Sequence, residues 1–489
     1  MTKHLDIDTK AMRAKILDLA IRGKLTDQRQ EDGNARDLLK EIQAEKERLI
    51  KEKKIKKEKP LPEIEADEIP FAIPKNWVWV RLGDICQINP RNHVQDENVN
   101  VSFLPMALIG EGYGSNYCPE IRKWKDVKKG FTHFANNDVV LAKISPCFQN
   151  LKSAIMNNLT NGIGAGTTEL HVLRRYSHTL DSKYLLCFVQ NQNLIKDGIK
   201  TFKGVVGQQR IGKDFIKEYL CPLPPLAEQH RIADKVSTFF AQLDAIDKAY
   251  EEYRELQQAM KAKLLDLAIQ GKLTDQRKED GDARELFQDI QEEKQGLIAE
   301  KEIKKEKPLP EIEADEIPFA IPKNWVWVRL NSIYNFIDYR GKTPKKLTEG
   351  IPLVTAKNVR MGYNDYSVKD FISAEEFKLR QSRGISHKGD LLFTTEAPLG
   401  NVSLADLDCF STGQRLIDFQ AYNSLAVSNK LFMYFIMSSF FQQALIDNQT
   451  GTTVAGIKAS RLKAILIPLP PLAEQKRIVA KLDELLPLL

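Results

Sequence analysis

The amino-acid sequence predicts an α+β molecule: two globular α/β domains separated by long antiparallel coiled-coil helices, in a circular pseudo-two-fold repeat. Three observations carry this expectation. Residues 11–82 match residues 259–330 without a gap, 58 of the 72 positions being identical, and from Ile55 to Leu82 the match to Ile303–Leu330 is complete. A second block, PLPPLAEQ, stands at Pro222–Gln229 and again at Pro468–Gln475, so the intervening segments, 83–221 and 331–467, differ by only two residues in length while sharing little identity. Self-similarity at such a period marks duplicated structural units, and each insert is the size of one domain. The third observation is a long heptad seam.

That seam follows PLPPLAEQ, where no Gly or Pro occurs from Leu226 to Gln270. Ile232, Val236, Phe239, Leu243, Ile246, Tyr250, Tyr253, Met260, Leu264 and Leu267 recur in steps of four and three, with Gln257 the single polar interruption. A 3.5-residue period held over about 65 Å of helix favours a helical partner. The partner is found in the same chain. Leu472–Leu489 repeats Leu226–Leu243 and puts Ile478, Leu482 and Leu485 in the seam, while Met12, Ile16 and Leu19 repeat Met260, Leu264 and Leu267. Segments from both ends of the chain are therefore expected to lie antiparallel to the central helix.

The expected division is a conserved helical region at 1–72 (distal half-helix, charged helix and strap), a first α/β domain at 73–222, a central conserved region with the long spacer helix at 223–320, a second α/β domain at 321–468, and a conserved helix at 469–489. The Lys- and Glu-rich segments Ala35–Lys59 and Ala283–Lys307 read as solvated helices. The proline-rich PLPEIEADEIPFAIP that follows each reads as an extended strap. Trp77 and Trp79, like Trp325 and Trp327, alternate in a strand as anchors for the insert core.

Composition sets the class. The 489 residues are 42% hydrophobic and 28% charged, normal for a globular protein and incompatible with a wholly disordered one. No apolar leader and no run of 18 apolar residues occurs, so a cytoplasmic location without a membrane partner is expected. The six cysteines lack paired spacing and read as reduced thiols. A net charge of +6 is compatible with a polyanionic partner but does not require one.

Both inserts alternate short strands, such as Asp138–Lys143 and Asp390–Thr394, with irregular loops rich in basic, amide and hydroxyl side chains. These residue types read guanine and adenine edges and hold phosphates. The candidates are Lys143, Ser145, Gln149, Asn150, Lys203, Gln208, Gln209 and Arg210 in the first insert, and Arg340, Lys342, Thr343, Lys357, Asn358, Arg360, Thr394, Thr395, Thr452 and Thr453 in the second. Catalytic and metal-binding motifs are missing: there is no phosphate loop, HExxH helix, GxSxG elbow or Asn/Asp-Pro-Pro-Tyr/Phe sequence. Gly162–Gly166 (GIGAG) lacks the context of a nucleotide-binding loop and reads as a turn. The chain is expected to recognise and not to react.

The two copies of IP-x-NWVWVRL (Ile73–Leu82, Ile321–Leu330), the PLPPLAEQ blocks, LDLAIRGKLTDQR at Leu17–Arg29 with its copy at Leu265–Arg277, AKISPCFQN at Ala142–Asn150 and GDLLFTT at Gly389–Thr395 together resemble the specificity (S, HsdS) subunit of Type I restriction-modification systems. The resemblance covers essentially the whole chain. It implies that each insert is a target-recognition domain for one half of an asymmetric bipartite site in double-stranded DNA. It also implies that the helices set the spacer and dock two methyltransferase (M) subunits, and that restriction (R) subunits join. S-adenosylmethionine would then belong to M, and ATP and Mg to R, with no cofactor in this chain. A specificity component of another phage-defence or modification system, a coiled-coil protein adaptor and an independent methyltransferase are the competing readings.

Overall fold

A computed structural model describes residues 7–112, 117–176, 178–205, 207–339, 343–450 and 455–489. They form two compact units, one reaching to Glu251 and the other comprising Glu252–Leu489. Among the described residues no helix is long and apolar enough to cross a membrane.

Each unit repeats one plan. In the first, the strand Val78–Arg81 pairs antiparallel with Leu220–Leu223, so WVWVR meets the start of PLPPLAEQ. In the second, Val326–Arg329 pairs with Leu466–Leu469 in the same way. The prolines after each returning strand end it, and the next residue opens a helix, Leu226–Ile269 or Leu472–Leu485. The Glu and Gln of LAEQ then become buried connectors. Glu228 accepts the Trp77 indole N–H at 2.8 Å, Gln28 at 2.7 Å and Thr26 at 3.1 Å. Glu474 accepts Trp325 at 2.7 Å, Gln276 at 2.6 Å and Thr274 at 3.2 Å. The near-identity of the framework is thus the identity of a buried hydrogen-bond network whose members have to match.

The antiparallel helix pairing is present inside each unit. Thr9 and Arg13 of the helix Thr9–Ile21 bond Asp247 at 2.7 and 2.9 Å, and Arg13 also pairs with Asp244. In the second unit Gln257 donates to the Leu489 carbonyl while Gln276 reaches Glu474, which sets residues 257–269 antiparallel to Leu472–Leu485.

The insert domains are also built alike. The first has a sheet ordered Cys86–Ile88, Leu170–Arg175, Val139–Ala142, Ser153–Ile155, and a second sheet ordered Glu120–Lys123, Asn100–Leu104, Ile163–Gly166, Thr132–Ala135. The second domain has Tyr334–Asp338, Leu416–Ala421, Leu391–Thr395, Leu399–Leu404, and a smaller sheet of Phe371–Ile372, Ile351–Val354 and Ser411–Thr412.

Three local expectations are corrected. Gly162–Gly166 is not a turn: Ile163–Gly166 is an inner strand, where a Cβ on Gly164 would lie 2.7 Å from the Ser102 carbonyl and 2.3 Å from Phe134 Cε2. The glycines are there for close packing. The charged helix stops at Lys51, so all of KKIKKEK (53–59) lies beyond its end, and the copy stops at Ala299. The strap is not fully extended, since Ala66–Glu68 makes a 3₁₀ turn closed by Glu65 and Glu68.

Candidate nucleic-acid interface

In the first unit one end of the main sheet gathers most of the residues singled out from the sequence. The strand Val139–Ala142 runs on into Lys143, whose N–H donates to the Glu169 carbonyl at 2.9 Å and whose carbonyl accepts from Ile211 at 3.0 Å. Ser145 N–H donates to Gln209 O at 2.8 Å, and Lys203 and Arg210 exchange backbone hydrogen bonds at 3.1 and 2.9 Å. Lys143, Ser145, Lys203, Gln208, Gln209 and Arg210 therefore share one rim. Gln149 joins through Ser145 Oγ at 3.1 Å. Gln149, Asn150, Lys203 and Gln208 are exposed. Asn150 donates to Glu111 at 3.0 Å. Beneath the rim, burial pushes His171 down to about 4, and this neutral imidazole bonds the Ile211 carbonyl at 3.2 Å.

Arg210 is more constrained than its residue type suggests. Its Nε and Nη2 donate to Glu169 at 2.8 and 3.0 Å, and Nη1 donates to the Gln208 carbonyl at 2.7 Å. This bidentate pair holds the Glu169 carboxyl below the usual carboxylate range.

The second unit changes the candidate set. Thr394 and Thr395 are fully buried because the strand extends through them, to Leu391–Thr395; Thr394 Oγ1 accepts from Asn401 N–H at 2.9 Å. Asn358 is 3% exposed and spends its amide on Asp365 O, Val368 O and the Thr355 N–H. These three have no surface to offer a duplex and hold the domain together instead. Thr343 and Lys357 are exposed, and Arg360 is half-buried, 3.1 Å from Asp365. Arg340, Lys342, Thr452 and Thr453 lie outside the described residues.

Comparison with known proteins decides the family. Residues 74–253 and 322–487 match the family model described as Type I restriction modification DNA specificity domain. Over 98% of its length the chain is 37% identical to the Type I restriction enzyme EcoAI specificity subunit of Escherichia coli, covering 89% of that protein. The chain belongs to the Type I DNA specificity family. It is also 32% identical to the EcoEI specificity subunit of Escherichia coli, over 97% of this chain and 88% of the relative. A solved chain described under complex assembly and conformational transition of the type I R-M system has the same fold, with a TM-score of 0.57, 21% identity, and coverage of 85% and 91% of the two chains.

For a specificity subunit the seam residues are as informative as the rim. Ile232, Val236, Leu243, Ile478 and Leu482 are buried. Phe239, Leu264, Leu267, Ile16, Leu19 and Leu485 are half-buried, and the covered register runs instead through Phe240, Leu265, Ala268, Ile269, Leu17, Ala20 and Ile21. Ile246, Tyr250, Tyr253, Met260 and Met12 are exposed at 38–49%. Within either unit the chain's own helices cover only part of the seam.

Sequence reading missed two rim residues, Glu396 and Arg415, which pair at 3.3 Å. Arg415 sits before the strand Leu416–Ala421 with φ +63°, and nothing in the local sequence announces that conformation.

Proposed function

We propose that each insert domain reads one half of a bipartite DNA target and that the two halves differ in sequence. The observation that carries this reading is one rim built twice on the same backbone pairings with different side chains: Lys143, Ile144, Glu169 and Arg210 in the first unit stand where Thr395, Glu396, Arg415 and Gly456 stand in the second. A framework held constant while the residues at equivalent positions of the rim change is what different specificities on one scaffold require. The chain itself is non-catalytic on this reading. Two M subunits, holding S-adenosylmethionine, dock on the helical framework, and R subunits with ATP and Mg complete the restriction complex. The exposed apolar stretch from Ile246 to Met260 supports docking of a helical partner. The long helix sets the spacer.

Sequencing of methylated adenines in a host expressing this chain with its M subunit tests the reading. Two unlike half-sites at a fixed spacing are expected; a continuous or symmetric target overturns it. A coiled-coil adaptor would give no salt-dependent duplex binding at all.

A further inference from the structure

The backbone correspondence between the rims fixes which residues are equivalent. Ala142 faces Leu170 where Thr394 faces Leu416. Lys143 N–H donates to Glu169 O and Thr395 N–H to Arg415 O, both at 2.9 Å. Ile211 and Ile457 close the other side on the Lys143 and Thr395 carbonyls at 3.0 and 3.1 Å. Each rim carries one arginine–glutamate pair, but on different positions: Arg415 stands where Glu169 stands, and Glu396 where Ile144 stands. In the first unit the carboxylate precedes the central strand and the guanidinium is on the returning segment. In the second the guanidinium precedes the central strand, and Gly456 replaces the other arginine.

The two pairs also differ in what they leave available. Arg210 has all three nitrogens engaged within its own domain. Arg415 and Glu396 form an ion pair, Nε lying 3.3 Å from the carboxylate, and no hydrogen bond of the Arg415 side chain is found among the described residues. Its side chain is 57% exposed and that of Glu396 is 39% exposed. A guanidinium held beside a carboxylate, with its N–H groups making no hydrogen bond among the described residues, has donors for bidentate recognition of guanine O6 and N7 in the major groove. Gly456, buried across from Glu396, lets the glutamate side chain pack against its backbone, where a Cβ would lie 2.8 Å from Glu396 Cγ.

We propose that Arg415 is a base-reading residue of the half-site addressed by residues 331–467, that it selects a guanine there, and that Glu396 is its positioning residue. The proposal rests on the reading that each insert addresses its own half-site. The test is methylated-adenine mapping with the full chain and its M subunit, for Arg415→Asn, Arg415→Lys, Glu396→Gln and Glu396→Asp. Asn tolerates the positive φ, and Lys keeps the charge without the planar fork. Both Arg415 variants are expected to lose discrimination at one guanine of that half-site by roughly tenfold to a hundredfold. Glu396→Gln is expected to relax the same position less, and Glu396→Asp to restore it. Unchanged specificity in Arg415→Lys, or uniform weakening at every sequence with a shallower salt dependence in Arg415→Asn, would make Arg415 a phosphate contact and overturn the proposal while leaving the two-domain reading intact. Relaxation of the other half-site would overturn the two-domain reading itself.

Discussion

Arg81 and its copy Arg329 show how a single buried cation fixes a segment with little apolar surface of its own. Arg81 donates to the carbonyls of Pro62, Glu63 and Glu218 at 2.8, 3.0 and 2.9 Å and to the Glu68 carboxylate at 2.8 Å. Arg329 repeats the set with Pro310, Glu311, Ala464 and Glu316. Arg81→Met keeps the apolar stem but strands these acceptors, so a loss of about 3 kcal/mol is expected. Chemical denaturation measures it, and limited proteolysis should show new cleavage between Pro60 and Pro74; an unaltered strap would refute the assignment. Asp418 presents the opposite case. It is fully buried beside Asp390, and burial raises its carboxyl well above the ordinary range. The folded state therefore keeps a proton that the unfolded state gives up near pH 4. This contribution to stability is complete below that pH and declines as pH rises, by about 1.4 kcal/mol for each unit until the folded pKa is passed. Asp418→Asn should flatten the fall in melting temperature between pH 5 and 8, and parallel curves for variant and parent would exclude it.

At the scale of elements, the long helix, the antiparallel ends and the bodies of the strands at 139–142 and 391–393 were legible because periodicity and turn chemistry are local properties. The helix register was legible only in part. The heptad points to Phe239, whereas the structure buries Phe240, because this end of the helix packs on the globular core of its own unit as well as on the helix Thr9–Ile21. Such a surface follows a 3.6 period, and the steps 232, 236, 240 and 243 record it. Thr394 and Thr395 looked like loop residues because hydroxyls and a following Glu-Ala-Pro suggest an ending strand. Pairing of Thr394 with Leu416, and of Thr395 with Leu399, carries the sheet past that point. Arg415 was invisible for the same reason, since only cross-strand register brings it to Glu396. The inner strand Ile163–Gly166 offers a direct check on one such correction. Gly164→Ala would push a methyl against the Ser102 carbonyl of the neighbouring strand, which cannot withdraw without breaking the sheet. A destabilisation of about 2–3 kcal/mol is expected by denaturation, whereas a turn at this place would accept alanine with little change.

On the whole-molecule scale the helix Leu226–Ile269 runs through the division at Glu251 and contributes to both units. Ile246 and Tyr250 in the first unit, and Tyr253 and Met260 in the second, are apolar seam residues that stay exposed; on the proposed reading they serve a spacer and a docking surface rather than stability. The two roles separate on lengthening. A second copy of Asp247–Tyr253 adds two turns, about 10 Å of helix, and returns the apolar face to within about 20° of its original phase. Both rims are untouched by the insertion. Methylated-adenine mapping of this variant should therefore return the same two half-sites with a longer spacer between them. Four added residues would rotate the continuing face out of the 3.5-residue register and are expected to reduce methylation more than seven do, despite the shorter extension. An unchanged spacer with seven added residues would show that the partner subunits, and not this helix, set the distance between the half-sites.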